Sequence, residues 1–438
     1  MSFLHPHSCE CAKSELDLFA LPPTQTSIES GQWVHYKTVS SISENSPLEF
    51  VIPGGEDYID LSQTLLSLCI KICKDDGSNY LPAEDTIGPV NNILHSMFSQ
   101  VDVYLNQKLI SPPNNTYAYK CYLETLLNYD SGAKNSHLTC GLWYADTVGK
   151  MNVVTNENSG FANRLKLTST SKEVDLIGHL NCDIFNQEKF LINGVEMRLK
   201  FVRSRDSFAL MSSNNLNGKI QITDATLMIR RNRINPSVLL AHAKALELST
   251  AKYPITRTEL KVLTIPQGVQ GKSLDNVYLG QLPKRCALCF VTNKAFNGDY
   301  SLNPFNFENF GLNYLSLYVD GNQIPSKPLQ PTFIGPNKKF VSMYHTLFSG
   351  TGIHFLNTGN GISRDNYADG YSIAVFDLTP DLSSHNALSW NLIKNGSLRI
   401  EVGFNTALTE TVNCLVYGEF DSVIEIDKKR NVIVDYSS

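Results

Sequence analysis

Three pairs of similar segments occur in the same order in the two halves of this 438-residue chain. In the first pair, "FSQVDVYLNQKLISPP" and "LNYLSLYVDGNQIPSKP" share a strand-like run, a polar turn, and then Ile and prolines. The pairs are 98–113 with 312–328, 119–128 with 340–349, and 190–201 with 391–404. Their offsets are alike: 317 − 103 = 214, 344 − 122 = 222 and 396 − 194 = 202. The conserved order and spacing predict one fold written twice in tandem.

Each copy has the sequence pattern of a β protein. Short runs rich in β-branched and aromatic residues are separated by Gly, Pro, Asn and Asp, and such runs are typical of strands in sandwiches or barrels. Several alternate cleanly, so that Met197, Leu199 and Phe201 are expected on one face and Arg198 and Lys200 on the other. Units of roughly 180 residues built in this way have the size of a jelly roll with long loops.

The patterning divides the chain into five predicted parts. The opening residues contain paired prolines in "LPPTQTSIESGQW" and no sustained periodicity, which indicates an arm. Asn235 can cap a helix and Pro236 suits its first position, so a linker helix is predicted after the first copy, with its aliphatic stripe against sheet edges. The alternative interpretation of this helix is that it lies in the core of a single large domain. The predicted parts are an N-terminal arm (1–47), a first jelly roll (48–234), a linker helix (235–249), a second jelly roll (250–427) and a C-terminal tail (428–438).

The charge distribution argues against nucleic-acid recognition. The net charge is −5, which creates no global basic field. Two small basic clusters comprise Arg230, Arg231 and Arg233, and Lys428, Lys429 and Arg430. We interpret them as solvated charges that flank element boundaries, because a few cations supply little counterion release.

Membrane insertion and export are not predicted. The sequence has no run of eighteen apolar residues that would span a bilayer, and its N-terminus lacks the apolar core of a signal peptide. The ten cysteines are therefore expected in a reducing compartment, mostly as buried apolar groups.

Motifs that carry chemistry are missing or weak. No phosphate-binding loop, nucleophile elbow or His-Glu-x-x-His pair occurs. The spacing of candidate metal ligands is poor in the N-terminal arm and in the lone Cys-x-x-Cys motif. The acidic pairs and a lone histidine have no further candidate catalytic residues beside them. We assign no catalytic, cofactor-binding or metal-ligating residues and expect no enzyme and no cofactor. The candidates weighed are His5, His7, Cys9 and Cys11; Cys286 and Cys289; Glu56 with Asp57; Glu425 with Asp427; and His242.

Six segments together resemble a known family. The chain is similar to the double jelly-roll major capsid proteins of Polinton (Maverick) elements and the related adintoviruses, in the PRD1–adenovirus capsid lineage. The resemblance covers the chain from about residue 14 to Tyr436, and "FDLTPDL" (376–382) also resembles a motif in capsid proteins of large DNA viruses. The segments are "SELDLFALPPTQTSIESGQWVHY", "GEDYIDL", "GPVNNILHSMFSQVDVYLNQKLISPPNNTYAYKCYLETLL", "NRINPSVLLAHAKALE", "GYSIAVFDLTPDL" and "VYGEFDSVIEIDKKRNVIVDY".

This resemblance implies an all-β fold of two tandem eight-stranded antiparallel jelly rolls with short helices in the loops. It implies a homotrimeric, hexon-like, pseudo-hexagonal capsomer that tiles an icosahedral virion capsid assembled inside the host cell. It further implies neighbouring capsomers, a penton protein, a processing protease and a packaging ATPase as partners in assembly. The loop 349–370 is the expected outward tower.

Two alternatives stay open at the level of sequence. A jelly roll could instead belong to a carbohydrate-binding or hydrolytic protein, which needs aromatic side chains on a concave face. A capsid protein derived from a transposon could also have been taken over by its host.

Overall fold

A computed structural model of the chain describes residues 5–11, 13–43, 46–80, 86–213, 216–386 and 389–434. Strands dominate, and short helices fill the connections between them. Over these described ranges, no helix has both the length and the apolar character needed to cross a membrane.

The first half runs from the first strand to the end of the tenth. Its strands β1 to β10 are Ile28–Lys37, Leu48–Ile52, Tyr58–Cys73, Ile87–Pro89, Phe98–Leu105, Lys108–Leu109, Val174–His179, Met197–Arg203, Leu210–Ser212 and Lys219–Ile234. Its helices α1 to α5 are Ile93–Ser96, Tyr117–Asn128, Ser131–Lys134, Ser159–Thr168 and Asp206–Ala209. Short 3-10 helices lie at Ser14–Leu16, His137–Gly141, Ser169–Ser171 and Asp183–Asn186.

Helix α6, Pro236–Leu248, connects the first half to the second. The strands β11 to β21 of the second half are Ala251–Ile265, Gly271–Gln281, Arg285–Thr292, Phe307–Glu308, Leu312–Val319, Asn322–Leu329, Asp369–Gly370, Ala374–Asp377, Asn395–Phe404, Val412–Ile426 and Val432–Val434. Its helices α7 to α9 are Asn293–Asn297, Val341–Ser349 and Arg364–Tyr367.

The same strand order appears in both halves. In the first half, one sheet has the order β1-β10-β3-β7 and the other β2-β8-β5-β6. In the second half, the orders are β11-β20-β13-β18 and β12-β19-β15-β16. Lettered B to I along the chain, the eight strands of these two sheets in each half form a B-I-D-G sheet and a C-H-E-F sheet, which is the jelly-roll arrangement. The chain is therefore a double jelly roll, and the predicted fold class is confirmed.

The paired segments in the sequence fall on equivalent elements of the two jelly rolls. The first pair forms the E and F strands (β5 and β6; β15 and β16), and the third contributes the H strands (β8 and β19). The second pair forms α2 and α8, each of which lies between strands F and G. The inference of a duplicated fold is confirmed at all three positions.

The core lies between the two sheets of each jelly roll. In β8, Met197, Leu199 and Phe201 are fully buried while Arg198 is exposed, as the alternation predicted. The Phe201 ring lies 5.8 Å from Phe50 and 5.0 Å from Phe98 between centroids. Across the second sandwich, Phe290 of β13 meets Phe404 of β19 edge to face at 5.9 Å.

The structure differs from the predicted boundaries at both ends. Strand β1 lies within the predicted arm (1–47), yet it pairs with β10 from Ile28 to Lys37 as strand B of the first jelly roll. Strand β21 lies within the predicted tail (428–438) and pairs with the end of β20. Strand β1 escaped prediction because it forms the edge of its sheet and none of its residues is buried, so it lacks apolar alternation.

Helix α6 begins as predicted. The Asn235 side chain accepts a hydrogen bond from Ser237 N at 2.9 Å, and Pro236 occupies the first helical position. None of its residues is buried, and Val238, Leu239 and Leu246 are half-buried. The alternative of a core helix is therefore wrong, because α6 lies on the surface between β10 and β11.

Replacing Phe201 with Ala tests the core of the first sandwich. Loss of a fully buried ring should lower the free energy of unfolding by about 3–5 kcal/mol, measured as a shift in the urea midpoint. The matched control is Phe355→Ala, since Phe355 is 89% exposed and its removal should leave the midpoint in place. An unchanged midpoint for Phe201→Ala would contradict this packing.

Candidate functional site

A buried polar network holds the two jelly rolls together. Its members come from α2 and the 3-10 helix Asp183–Asn186 of the first half, and from β11, β13 and β20 of the second. We call it the junction network. It comprises Lys120, Glu124, Asp183, Thr258, Arg285, Tyr417 and Glu419.

Helix α2 positions the first part of this network. Lys120 and Glu124 are four residues apart and therefore share one face of the helix. Lys120 Nζ lies 2.5 Å from Asp183 Oδ1 and 3.7 Å from Glu124 Oε1. Asp183 also accepts hydrogen bonds from Thr258 N at 3.0 Å and Thr258 Oγ1 at 2.8 Å. A carboxylate of the first half thus binds the backbone of the second.

The network continues into the second sheet. Tyr417 OH lies 3.3 Å from Glu124 Oε1 and 3.0 Å from Glu419 Oε1, and its single proton can be donated to one of them at a time. Arg285 Nη2 lies 2.5 Å from Glu419 Oε1. Strands β13 and β20 are hydrogen-bonded neighbours in the B-I-D-G sheet, which brings these three side chains into register.

Charge balance explains the electrostatics of the junction. The network holds two cationic side chains and three carboxyl groups, so full ionisation would leave a buried negative charge. Burial raises the pKa of Glu124 to about 7, against the opposing effect of Lys120. Burial alone would lower the pKa of Lys120, but Asp183 and Glu124 together raise it above its ordinary value. Glu124 is therefore the group that takes up a proton near neutral pH.

Aromatic rings form a second contact between the halves. The Tyr122 ring stacks on Phe305 with centroids 4.1 Å apart and planes within 3°. The Tyr119 ring stacks on Phe296 at 5.4 Å and meets Phe305 edge to face at 5.6 Å. Because Tyr119 and Tyr122 are three residues apart on α2, they face the same partner. Every residue from Tyr117 to Leu127 is buried, so this amphipathic helix shows no face to solvent.

A third contact between the halves is built on a fully buried ion pair of the first half. Arg164 Nη2 lies 2.6 Å from Asp146 Oδ1, and neither side chain is exposed. Asp146 Oδ2 accepts a hydrogen bond from Asn303 Nδ2 of the second half at 2.9 Å. Arg164 Nε donates to Pro89 O at 2.9 Å, which ties α4 to β4.

The prediction that the first basic cluster consists of solvated charges is wrong for Arg231. Arg231 is buried, and it donates to Tyr36 OH at 2.9 Å and Pro53 O at 2.7 Å. Arg233 pairs with Glu29 at 3.4 Å. These contacts account for Arg231 and Arg233 as parts of the fold.

The second basic cluster contains an anchor that the sequence did not reveal. Arg430 donates to Asn193 O and Asn193 Oδ1, each at 2.7 Å. In return, Asn106 Nδ2 donates to Arg430 O at 2.7 Å. The turn between β20 and β21 is thereby fixed to the first half.

The cysteine and histidine residues considered as metal ligands do not come together in one site. Cys286 and Cys289 are buried in β13, and burial raises the pKa of each thiol. His5, His7, Cys9 and Cys11 lie on the exposed arm. In the ranges that the structure describes, no group of three or more His, Cys, Asp or Glu side chains could hold a metal ion.

The remaining candidates have local structural contacts. Asp427 accepts from Lys429 N and Asn431 N, each at 2.8 Å, and shapes the turn before β21. Glu425 accepts from Thr250 Oγ1. His242 Nδ1 lies 2.9 Å from Tyr58 OH.

The acidic pair Glu56 and Asp57 lies in the bend that precedes β3, where Glu56 is exposed. In "FDLTPDL", Asp377 Oδ1 accepts from Thr379 N at 2.9 Å and its Oδ2 accepts from Ser384 N at 3.1 Å. Both carboxylate oxygens of Asp377 therefore fix the turn after β18, as expected of a corner near a strand end.

No family model matches the chain. One curated protein, the uncharacterized protein F54H12.2 of Caenorhabditis elegans, is 26% identical over 433 residues. The alignment covers 95% of this chain and 99% of that protein.

Solved structures of similar fold come from viruses. A chain of the Sputnik virophage, solved by cryo-electron microscopy, aligns with a TM-score of 0.68 at 12% identity and covers 100% of this chain and 95% of its own. The mavirus major capsid protein aligns with a TM-score of 0.55 at 12% identity, over 99% of this chain and 95% of its own. The Faustovirus major capsid protein gives a TM-score of 0.54 at 7% identity, over 94% and 92%. At these identities, the likeness concerns the fold.

Replacing Glu124 with Gln should remove a pH dependence of stability. The pKa of Glu124 is about 7 in the folded state, whereas its ordinary value is 4.5. Between these values the folded state holds a proton that the unfolded state has lost, so the free energy of unfolding falls as pH rises. The fall is at most roughly 3 kcal/mol, since one pKa unit is worth about 1.4 kcal/mol.

Urea unfolding of both proteins at intervals from pH 4 to pH 8 measures this effect. The free energy of unfolding of the parent should fall relative to that of Glu124→Gln between about pH 4.5 and pH 7, and the difference should level off above pH 7. The control Glu56→Gln changes an exposed carboxyl group and should follow the parent curve. Parallel curves for the parent and Glu124→Gln would contradict protonation of Glu124 in the junction.

Replacing Asp146 with Asn should destabilise the junction. It leaves the Arg164 guanidinium buried without a carboxylate partner, which costs about 3–5 kcal/mol. Thermal unfolding followed by circular dichroism measures the loss. Glu157→Gln is the matched control, because it removes an exposed ion pair with Lys150 and should have little effect. Equal effects of the two variants would contradict this account.

Proposed function

We propose that the protein is a viral-type major capsid protein whose trimers form pseudo-hexagonal capsomers of an icosahedral shell. The observation that carries the proposal is the pair of jelly rolls with one strand order, locked in a fixed relation by the junction network. Three copies of such a chain present six similar units around an axis. Full-length alignment with the mavirus and Faustovirus major capsid proteins supports the same conclusion.

The geometry of the two halves supports a head-to-tail contact between copies. The B-I-D-G sheet of the second half is covered by α2, so Thr258, Tyr417 and Glu419 are buried. The equivalent sheet face of the first half is open. Trp33 on this face is 40% exposed, and neighbouring Met228 and Leu65 are half-buried.

Helix α8 is the counterpart of α2 and lacks an equivalent covering in the single chain. Val341, which corresponds to Tyr119 at the same offset of 222, is 44% exposed. We propose that α8 of one copy covers the open sheet face of the next. A contact of this kind is heterologous, and it closes into a ring when the rotation fits.

The wider assembly follows from the same proposal. The chain would reside in the virion capsid, built inside the host cell, with neighbouring capsomers, a penton protein, a processing protease and a packaging ATPase as partners. A source in Polinton (Maverick) elements or adintoviruses is proposed from the sequence resemblance. The nematode relative, matched over nearly its whole length, favours as a second candidate a capsid gene carried and used by an animal host.

The carbohydrate-binding or hydrolytic alternative lacks comparable support. Its aromatic side chains would have to line an open concave face. Tyr119, Tyr122 and Phe305 instead stack inside the junction, where they are fully buried.

Light scattering of the purified chain tests the proposed trimer. The expected mass is three times 48.8 kDa, and electron microscopy should show pseudo-hexagonal particles that associate into shells. Trp33→Glu combined with Met228→Glu should yield monomers, because it places charges on the open sheet face. The control Leu279→Glu alters a residue that is 67% exposed on the other sheet of the second half and should leave trimers intact. A parent chain that stays monomeric would refute the proposal.

A further inference from the structure

A deep groove opens beside α6, between the end of β10 and the start of β11. Its volume is about 490 Å³. Six apolar side chains in its wall are Ile28, Phe190, Ile192, Ile234, Val238 and Leu246. A cavity of about 150 Å³ accommodates benzene, so this groove has room for roughly three large apolar side chains.

The wall combines satisfied polar groups with two exposed cations. Tyr58 OH lies 2.9 Å from His242 Nδ1, and Ile192 N donates to Tyr253 OH at 3.0 Å. Lys189 and Lys252 also line the groove and are exposed. The groove therefore offers an apolar floor with positive charge at its edge.

The N-terminal arm carries a complementary run. In "SELDLFAL" (14–21), the side chains of Leu16, Leu18, Phe19 and Leu21 are 73% to 98% exposed. Glu15 and Asp17 alternate with the first of them and are exposed. Several large apolar side chains exposed in one short segment indicate a docking element. Single exposed apolar side chains are common on protein surfaces, but clusters of them are not.

We propose that residues 14–21 of a second copy dock into the groove beside α6. Leucine and phenylalanine side chains would fill the apolar floor, and Glu15 and Asp17 would lie near Lys189 and Lys252. This inference rests on the proposed function, since it requires an assembly of copies. It assigns the arm a specific receiving surface within that assembly.

The stiffness of the arm favours a second copy over the same chain. Gln25 accepts from Ile28 N at 2.8 Å and donates to Ile28 O at 3.2 Å, which fixes the chain where it leaves the groove rim. Pro22 and Pro23 then favour an extended path. The six steps from Leu21 to Ser27 span about 19 Å in that conformation, since each rises about 3.1 Å. The four apolar side chains of the run are exposed, so they do not occupy the groove of their own chain.

Photo-cross-linking tests this docking in the assembled protein. A tagged chain that carries p-benzoylphenylalanine in place of Phe19 is co-expressed with an untagged chain that lacks it. Ultraviolet irradiation should give a tagged–untagged two-chain product, and mass spectrometry should place the bond in a groove peptide that contains Val238 to Leu246 or Phe190 to Ile192.

Charge reversal adds a second test. Glu15→Lys with Asp17→Lys in the tagged chain should lower the cross-linking yield about fivefold, as expected for two exposed ion pairs. Lys189→Glu with Lys252→Glu in the untagged chain should restore it. Glu10→Lys is the matched control, because it reverses an exposed charge on the arm outside the docking run and should leave the yield unchanged.

The outcomes separate this inference from the proposed function. Cross-links confined to the same chain, to other surfaces or to co-purified lipid, with the trimer mass intact, would overturn the docking and leave the capsid proposal standing. Failure of the charge reversal to be rescued would overturn the proposed orientation of the arm. A monomer by light scattering would instead overturn the capsid proposal.

Discussion

The ammonium group of Lys120, which is buried between the two sandwiches, fixes how the halves of this protein are arranged. Taking Lys120 out of water is costly unless charged and hydrogen-bonding partners surround it. Asp183 supplies the closest carboxylate and is itself held by the backbone and hydroxyl of Thr258. Since Asp183 belongs to the first half and Thr258 to the second, separation of the halves would remove hydrogen bonds that the carboxylates of the first half accept from Thr258 and Tyr417. The junction therefore specifies one arrangement of the two sandwiches.

The two halves have the same strand order, but their equivalent helices α2 and α8 carry different side chains. Helix α2 brings tyrosines and charges into the junction, whereas the equivalent α8 retains exposed positions such as Val341. The two equivalent B-I-D-G sheets also differ, because α2 covers the sheet of the second half while the sheet face of the first half is open. A single chain thus contains one such helix–sheet contact, and the proposed trimer would form the other between copies.

The sequence predicted those features that depend on local periodicity. Alternation of Met197, Leu199 and Phe201 identified β8, and the Asn235–Pro236 pair located the start of α6. Strand β1 was missed because it is a largely exposed edge strand without apolar alternation. The junction was missed because its contacts join positions far apart in the chain: 63 residues separate Lys120 from Asp183, and 293 separate Glu124 from Tyr417. A single sequence carries no local signal for such pairs.

The Arg430 anchor has a consequence for the order of events during synthesis. Arg430 follows strand β20 in the chain, so the ribosome synthesises the sixteen strands of both sandwiches before the turn that contacts Asn193 and Asn106. The first sandwich can fold early, but its contact with Arg430 forms only after the last strand of the second sandwich has been made. Until then, this point of attachment between the halves is missing from the nascent chain.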